Sequence, residues 1–87
     1  MKISEKKKEK ISEQILSYLY SINPKSIFTS QIAEEIARDE EFVKNLLFDL
    51  KKRNLLIEIK KNPKGTLYVR RSRWRLSDAA YKAYKNY

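Results

Sequence analysis

Apolar residues near the start of the chain recur at helical spacing, with Ile11, Ile15, Leu19 and Ile22 on one stripe. A helix is predicted from about Ser4, its N-cap, to Ser21. Its first two turns, Glu5 to Lys10, carry no apolar stripe and are expected to project into solvent or fray. "NPKS", Asn23 to Ser26, ends the helix, because proline disfavours helical geometry in the residue before it. Ile27 to Thr29 is short and β-prone. A second helix follows from Thr29 or Ser30, either of which can cap it, to about Arg38, with Ile32 and Ile36 as its inner edge. A third, capped by Asp39, runs to about Arg53 and turns Val43, Leu46, Leu47 and Leu50 inward.

Beyond Arg53 the period shortens to two. "LLIEIK", Leu55 to Lys60, alternates as a strand with Ile57 and Ile59 on one face. "KNPKG", Lys61 to Gly65, has the Asn, Pro and Gly of a turn. "TLYVRRSRWRL", Thr66 to Leu76, is the returning strand, with Trp74 and Leu76 facing the core because they lead into a closing helix. Ser77 caps that helix, which runs from Asp78 to about Asn86. Leu67 and Val69 share the parity of Arg71, Arg73 and Arg75, so a bulge near Arg70 or an apolar outer face at the tip is expected. The pattern defines one α+β domain over residues 1–87, mainly α, with no internal repeat.

"TSQIAEEIARDEEFVKNLLFDLKKRNLLI" resembles the tri-helical signature of winged helix-turn-helix domains in bacterial and archaeal transcription regulators. "IAEEIA" is similar to the positioning helix, and Val43, Leu47 and Leu50 take the buried spots of the recognition helix. "KKRNLL" resembles the charged exit, with Asn54 at the left-handed position that Asn tolerates best after Gly. "WRLSDAAYKAY" resembles the strand end and capped helix that close such domains, and the match covers about residues 11–84. The resemblance implies a three-helix core, a β-hairpin wing, a C-terminal helix and double-stranded DNA as partner. Winged helices also serve as protein–protein modules, and structured RNA or repeat DNA is a further option. Terminal helices commonly pair the protomers of this family. Tyr18, Tyr81, Tyr84 and Tyr87, with Tyr20 nearby, are therefore candidates for a homodimer interface or for completing a small core.

Composition narrows the chemistry. The 87 residues include no Cys and no His, which removes disulfides, the usual zinc ligands, thiol catalysis and the commonest general base. No nucleophile is paired with a base, so neither an enzyme nor a cofactor is expected. No hydrophobic signal region follows the basic start, and no apolar run approaches the ~18 residues of a membrane span. A cytoplasmic protein is expected. Abundant Lys, Glu and Ile lean towards a thermophile, and the regulator towards an archaeal or viral type.

The distribution of charge matters more than the net +9. Residues 51–75 carry ten basic groups and one acid, whereas residues 30–50 carry two basic groups and six acids. In the returning strand Arg71, Arg73 and Arg75 share a face, about 7 Å apart, close to the spacing of phosphates along one DNA strand. Lys60, Lys61 and Lys64 extend this comb at the hairpin, and Arg70 joins it. Solubility alone mixes the signs on a surface, so the wing is expected to contact nucleic acid.

Helix 3 poses the opposite problem. Glu40 and Glu41 at its start suit the helix dipole by ~0.3–1 kcal/mol each, yet they repel phosphate. One of them can accept from cytosine N4. Alternatively the helix inserts by its middle and C-terminal part through Lys44, Asn45, Lys51, Lys52 and Arg53, with Asn45 reading adenine. Or the wing and helix 1 bind while helix 3 stays outside. A mixture of the last two is expected. Phe48 lies off the buried stripe, as core or as interface. Glu34, Glu35, Glu40 and Glu41 offer an acidic surface to a basic protein partner.

Overall fold

The computed structural model describes residues 5–60 and 72–86. In chain order the elements are α1 (Glu5–Ile22), β1 (Ile27–Phe28), α2 (Thr29–Ile36), α3 (Glu40–Lys52), β2 (Leu56–Ile59), β3 (Arg73–Leu76) and α4 (Asp78–Lys85). The expected Ser4 cap, the turn over Lys61–Gly65 and the bulge near Arg70 lie outside the described residues.

The predicted stripes meet in one core. Ile11, Ile15 and Leu19 of α1, Ile32 of α2 and Val43, Leu46, Leu47 and Leu50 of α3 pack with Ile27, Leu56, Trp74 and Leu76 of the sheet. Each fully buried aliphatic side chain is worth ~1.5–3 kcal/mol. Trp74, only 1% exposed, lies at the centre of the sheet side. The strands run in the order β1-β3-β2, with β3 antiparallel to both neighbours. Ile27 and Glu58 flank Trp74, and Leu56 lies opposite Leu76, so these residues share the inner face. On the outer face Phe28 and Ile59 flank Arg73, and Ile57 lies opposite Arg75. Ile57 and Ile59 thus share a face, as the alternation predicts, but that face points away from the core.

Three junctions fix how the helices follow one another. α2 is capped neither by Thr29 nor by Ser30. Phe28 is the N-cap, in extended geometry, and its N–H donates to Gln31 Oε1 at 2.9 Å. Thr29 is diverted because its hydroxyl accepts from the Trp74 indole. α2 also stops at Ile36, two residues before the expected Arg38. Ala37 adopts left-handed geometry (φ 56°), and the Arg38 N–H closes on the Ala33 carbonyl at 3.0 Å. The chain is thereby released in time for Asp39 to cap α3 by accepting from the Phe42 N–H at 3.0 Å.

Asn54 takes the left-handed conformation expected of it, with φ 62°. Ser77 then joins the exit of α3 to the start of α4. Its hydroxyl donates to the Asn54 carbonyl at 2.9 Å and accepts from the Ala80 N–H at 3.1 Å. Phe48 packs on the core, edge-on to Trp74 with ring centroids 5.5 Å apart.

A Cβ at a left-handed residue is unfavourable, so Ala37→Gly is expected to stabilise the fold by about 0.5–1 kcal/mol in urea unfolding. Ser77→Ala is expected to cost about 1–2 kcal/mol, since it removes a cap and unpairs a carbonyl. Equal stability of Ala37→Gly and the unsubstituted protein contradicts the strain at this junction.

Candidate nucleic-acid interface

Burial of Val43, Leu46, Leu47 and Leu50 fixes the rotation of α3. Glu41, Lys44, Asn45 and Lys52 are left exposed on its outward side. The charge along this helix is graded, with Glu40 and Glu41 in the first turn and Lys51 and Lys52 in the last. Both ends suit the helix dipole.

A cleft of about 460 Å³ separates α3 from β3. Glu40, Glu41, Lys44 and Phe48 form one wall, and Thr29, Ser30, Ser72 and Trp74 lie across from them. The Trp74 Nε1–H donates to Thr29 Oγ1 at 2.9 Å, which ties the strand to the first residue of α2. The start of α2, the outward side of α3 and the base of the β2–β3 hairpin are therefore held together around one indole.

The structure adds a residue that sequence reasoning missed. Glu58 lies on the inner face of β2, opposite Trp74, and its side chain is only 3% exposed. Its carboxylate accepts from Lys51 Nζ at 2.7 Å and from Ser72 Oγ. Burial pushes the Glu58 carboxyl up, but the bonds from Lys51 and Ser72 and the charges of Lys51 and Lys60 outweigh it. The group is held below the ordinary carboxylate value. The available signal was its place as the lone acid among residues 51–75.

The expected cations divide into two sets. Lys44, Lys52 and Lys60 are exposed, as is Asn45. Lys51 is bound to Glu58, and Arg53 pairs with Glu9 of α1 at 3.7 Å. Arg73 and Arg75 share the outer face of β3, as the alternation requires, but both guanidinium groups have internal neighbours. Arg73 lies over the Phe28 ring, 4.9 Å from its centroid. Arg75 donates to the Leu76 carbonyl at 2.9 Å and pairs with Asp78 at 3.5 Å. Lys61, Lys64, Arg70 and Arg71 lie outside the described residues.

The tyrosines and acids also separate. Tyr20 packs against Tyr81 and Tyr84, with centroids 5.3 and 5.6 Å away, so those rings extend the core. Tyr18 and Tyr84 border a shallow groove between α1, the end of α2 and α4. Burial and the Glu13 charge push the Tyr84 hydroxyl up from its ordinary value. Tyr87 lies outside the described residues. Glu35 borders this groove, whereas Glu40 and Glu41 border the α3–β3 cleft, so the four expected acids do not share one depression. Glu34 is exposed on α2.

Three helices, a short strand ahead of α2, and an antiparallel hairpin after α3 define a winged helix-turn-helix fold. Among solved structures with this fold, the chain is similar to MepR, a transcription regulator of the Staphylococcus aureus multidrug efflux pump MepA (TM-score 0.71, 21% identity, 87% of this chain and 52% of that one). It is similar also to S. aureus MepR in its DNA-binding conformation (TM-score 0.70, 23% identity, 88% and 53%). A third is the PcaV transcriptional regulator of Streptomyces coelicolor in complex with its natural ligand (TM-score 0.66, 21% identity, 85% and 48%). The chain spans about half the length of these proteins, and at such identity the likeness shows the fold. No family model and no curated protein matches the sequence. Among the described residues no helix is long and apolar enough to cross a membrane, and no group of three or more acids could hold a metal ion.

Because the folded-state Glu58 carboxyl lies below its ordinary value of 4.5, its contribution is present above that pH. It is lost as the pH falls through the folded-state value. Glu58→Gln is expected to cost about 1–3 kcal/mol at neutral pH and to flatten the acid limb of the stability profile. An unchanged acid limb in urea unfolding contradicts this assignment.

Proposed function

We propose that this protein is a DNA-binding transcriptional regulator that contacts duplex DNA through its basic wing and the middle and C-terminal part of α3. The observation that carries the reading is the polarity of the α3 surface beside the wing. Exposed Lys44, Asn45 and Lys52 of α3 precede a hairpin segment, residues 55–76, with seven basic groups and one acid, and the side chain of that acid is buried. Among the structural neighbours, a MepR variant is bound to an oligodeoxyribonucleotide, which supports DNA as the ligand class. Lys44 and Lys52 neutralise phosphates, and Asn45 has the donor and acceptor needed to read an adenine edge. Arg73 lies with its guanidinium over the Phe28 ring, a contact compatible with donation to phosphate from the guanidinium edge, and Arg75 exchanges its exposed partner Asp78 for phosphate, so both belong to the wing's share. Arg71 and Lys64 complete the wing's share.

Pairing of two copies through the α1–α4 side is part of this reading, supported by the groove that Tyr18 and Tyr84 border. Sedimentation at micromolar concentration tests it, and a strictly monomeric species removes the pairing from the proposal.

Affinity for duplex DNA is expected to fall steeply with salt, and Lys44→Ala and Lys52→Ala each to reduce the log–log salt slope by about 1. Glu40→Ala and Glu41→Ala are expected to leave binding intact or to tighten it. Fluorescence anisotropy over random duplexes at two salt concentrations measures both effects. Absence of binding at low salt, with co-purification of one protein partner, replaces this proposal with a protein-interaction module.

A further inference from the structure

A segment built only to attract phosphate has no use for a carboxylate, yet β2 places Glu58 in the middle of one. The other acids that pair with cations of this region remain largely in solvent. Glu9, beside Arg53, is 65% exposed and Asp78, beside Arg75, is 89% exposed. Such exposed pairs hold little geometry, because water and side-chain entropy compete with them. Glu58 differs, since its side chain is 3% exposed and both of its partners belong to other elements. Lys51, at 2.7 Å, is in the last turn of α3, and Ser72, at hydrogen-bond distance, leads into β3. One carboxylate on β2 thus joins the end of the helix to both strands at the base of the hairpin. The carboxylate end of the Lys51 bond is buried while the ammonium end is half in water, and a charged hydrogen bond is roughly twice as strong as a neutral one.

We propose that Glu58 is the positioning residue of the DNA interface, withdrawing Lys51 from phosphate and using it with Ser72 to lock the base of the wing against α3. The inference rests on the DNA-binding reading above. Helix and wing meet separate stretches of backbone, so an error in their relative angle puts phosphates out of reach of one of them. Holding that angle in the free protein also removes the ordering cost from the binding step.

Charge and position make opposite predictions for one substitution. Glu58→Gln raises the net charge from +9 to +10 without changing side-chain size. Electrostatics alone then gives tighter and more salt-dependent binding. The positioning role gives binding about tenfold weaker at moderate salt, with the salt slope shallower by about 0.9 for each phosphate left without its cation. Anisotropy titration of a fluorescent duplex at several salt concentrations reads both quantities, at a temperature where near-UV circular dichroism of the single Trp74 shows the protein folded. Ser72→Ala, which keeps the Lys51 pair, is expected to shift affinity and slope the same way by less. Glu58→Asp, one methylene short of its partners, is expected to fall between the unsubstituted protein and Glu58→Gln. If Glu58→Gln does not fold, these two variants decide on the same readouts. Binding by the variants as tight as that of the unsubstituted protein, at equal or steeper slope, overturns this inference alone. Absence of binding by the unsubstituted protein overturns the DNA-binding reading and this inference together.

Discussion

The indole of Trp74 is fixed on four sides, and the arrangement of the interface follows from that. It lies between Ile27 of β1 and Glu58 of β2, receives the edge of Phe48 from α3, and donates to Thr29 at the start of α2. A buried indole N–H needs an acceptor, and a displaced Thr29 would leave it unpaired at a cost of about 1–3 kcal/mol. The strand that carries the wing therefore cannot rotate without disturbing the start of one helix and the middle of another. The β3 register is fixed by the same burial, because a slip of one residue would turn Arg73 or Arg75 into the core.

Around that anchor, charge is arranged by function of position rather than by sign alone. The count of 20 basic groups, rather than the net +9, overstates what is available to a polyanion, since Lys51, Arg53 and Arg75 each lie beside a carboxylate of the chain and that of Glu58 is buried. The acids at the start of α3 have a sufficient structural reason in the helix dipole and the Asp39 cap. In the proposed mode of DNA binding they also repel phosphate from the helix tip, which leaves Lys44 and Lys52 to meet it. Burial of Glu58 is offset by Lys51 and Ser72, and the pair that results serves geometry more than net stability.

Periodicity made the helices, the core stripes and the face of Trp74 and Leu76 legible, because those features depend on neighbours along the chain. Asn54 and the Ser77 cap were legible for the same reason, as local backbone chemistry. The early end of α2 at Ala37 was not, since alanine carries no signal for left-handed geometry and the following cap decides the matter. Nor was the bond from the Phe28 N–H to Gln31, since the Thr29 hydroxyl that the sequence offers as a cap is engaged by a residue 45 positions later. The candidate site was legible as an exposed basic surface. Which of its cations are already paired was not, because those partners lie on other elements.

In the proposed complex DNA meets the middle and end of α3 together with the base of the wing, rather than the acidic tip of the helix. Backbone amide shifts recorded by NMR during titration with a duplex at low salt test it most directly. The largest changes are expected from Lys44 to Lys52 and at Ile59, Lys60 and Ser72, with small ones at Tyr18 and Tyr84. Changes centred on Asp39 to Glu41, with Lys52 and Lys60 unmoved, would contradict it.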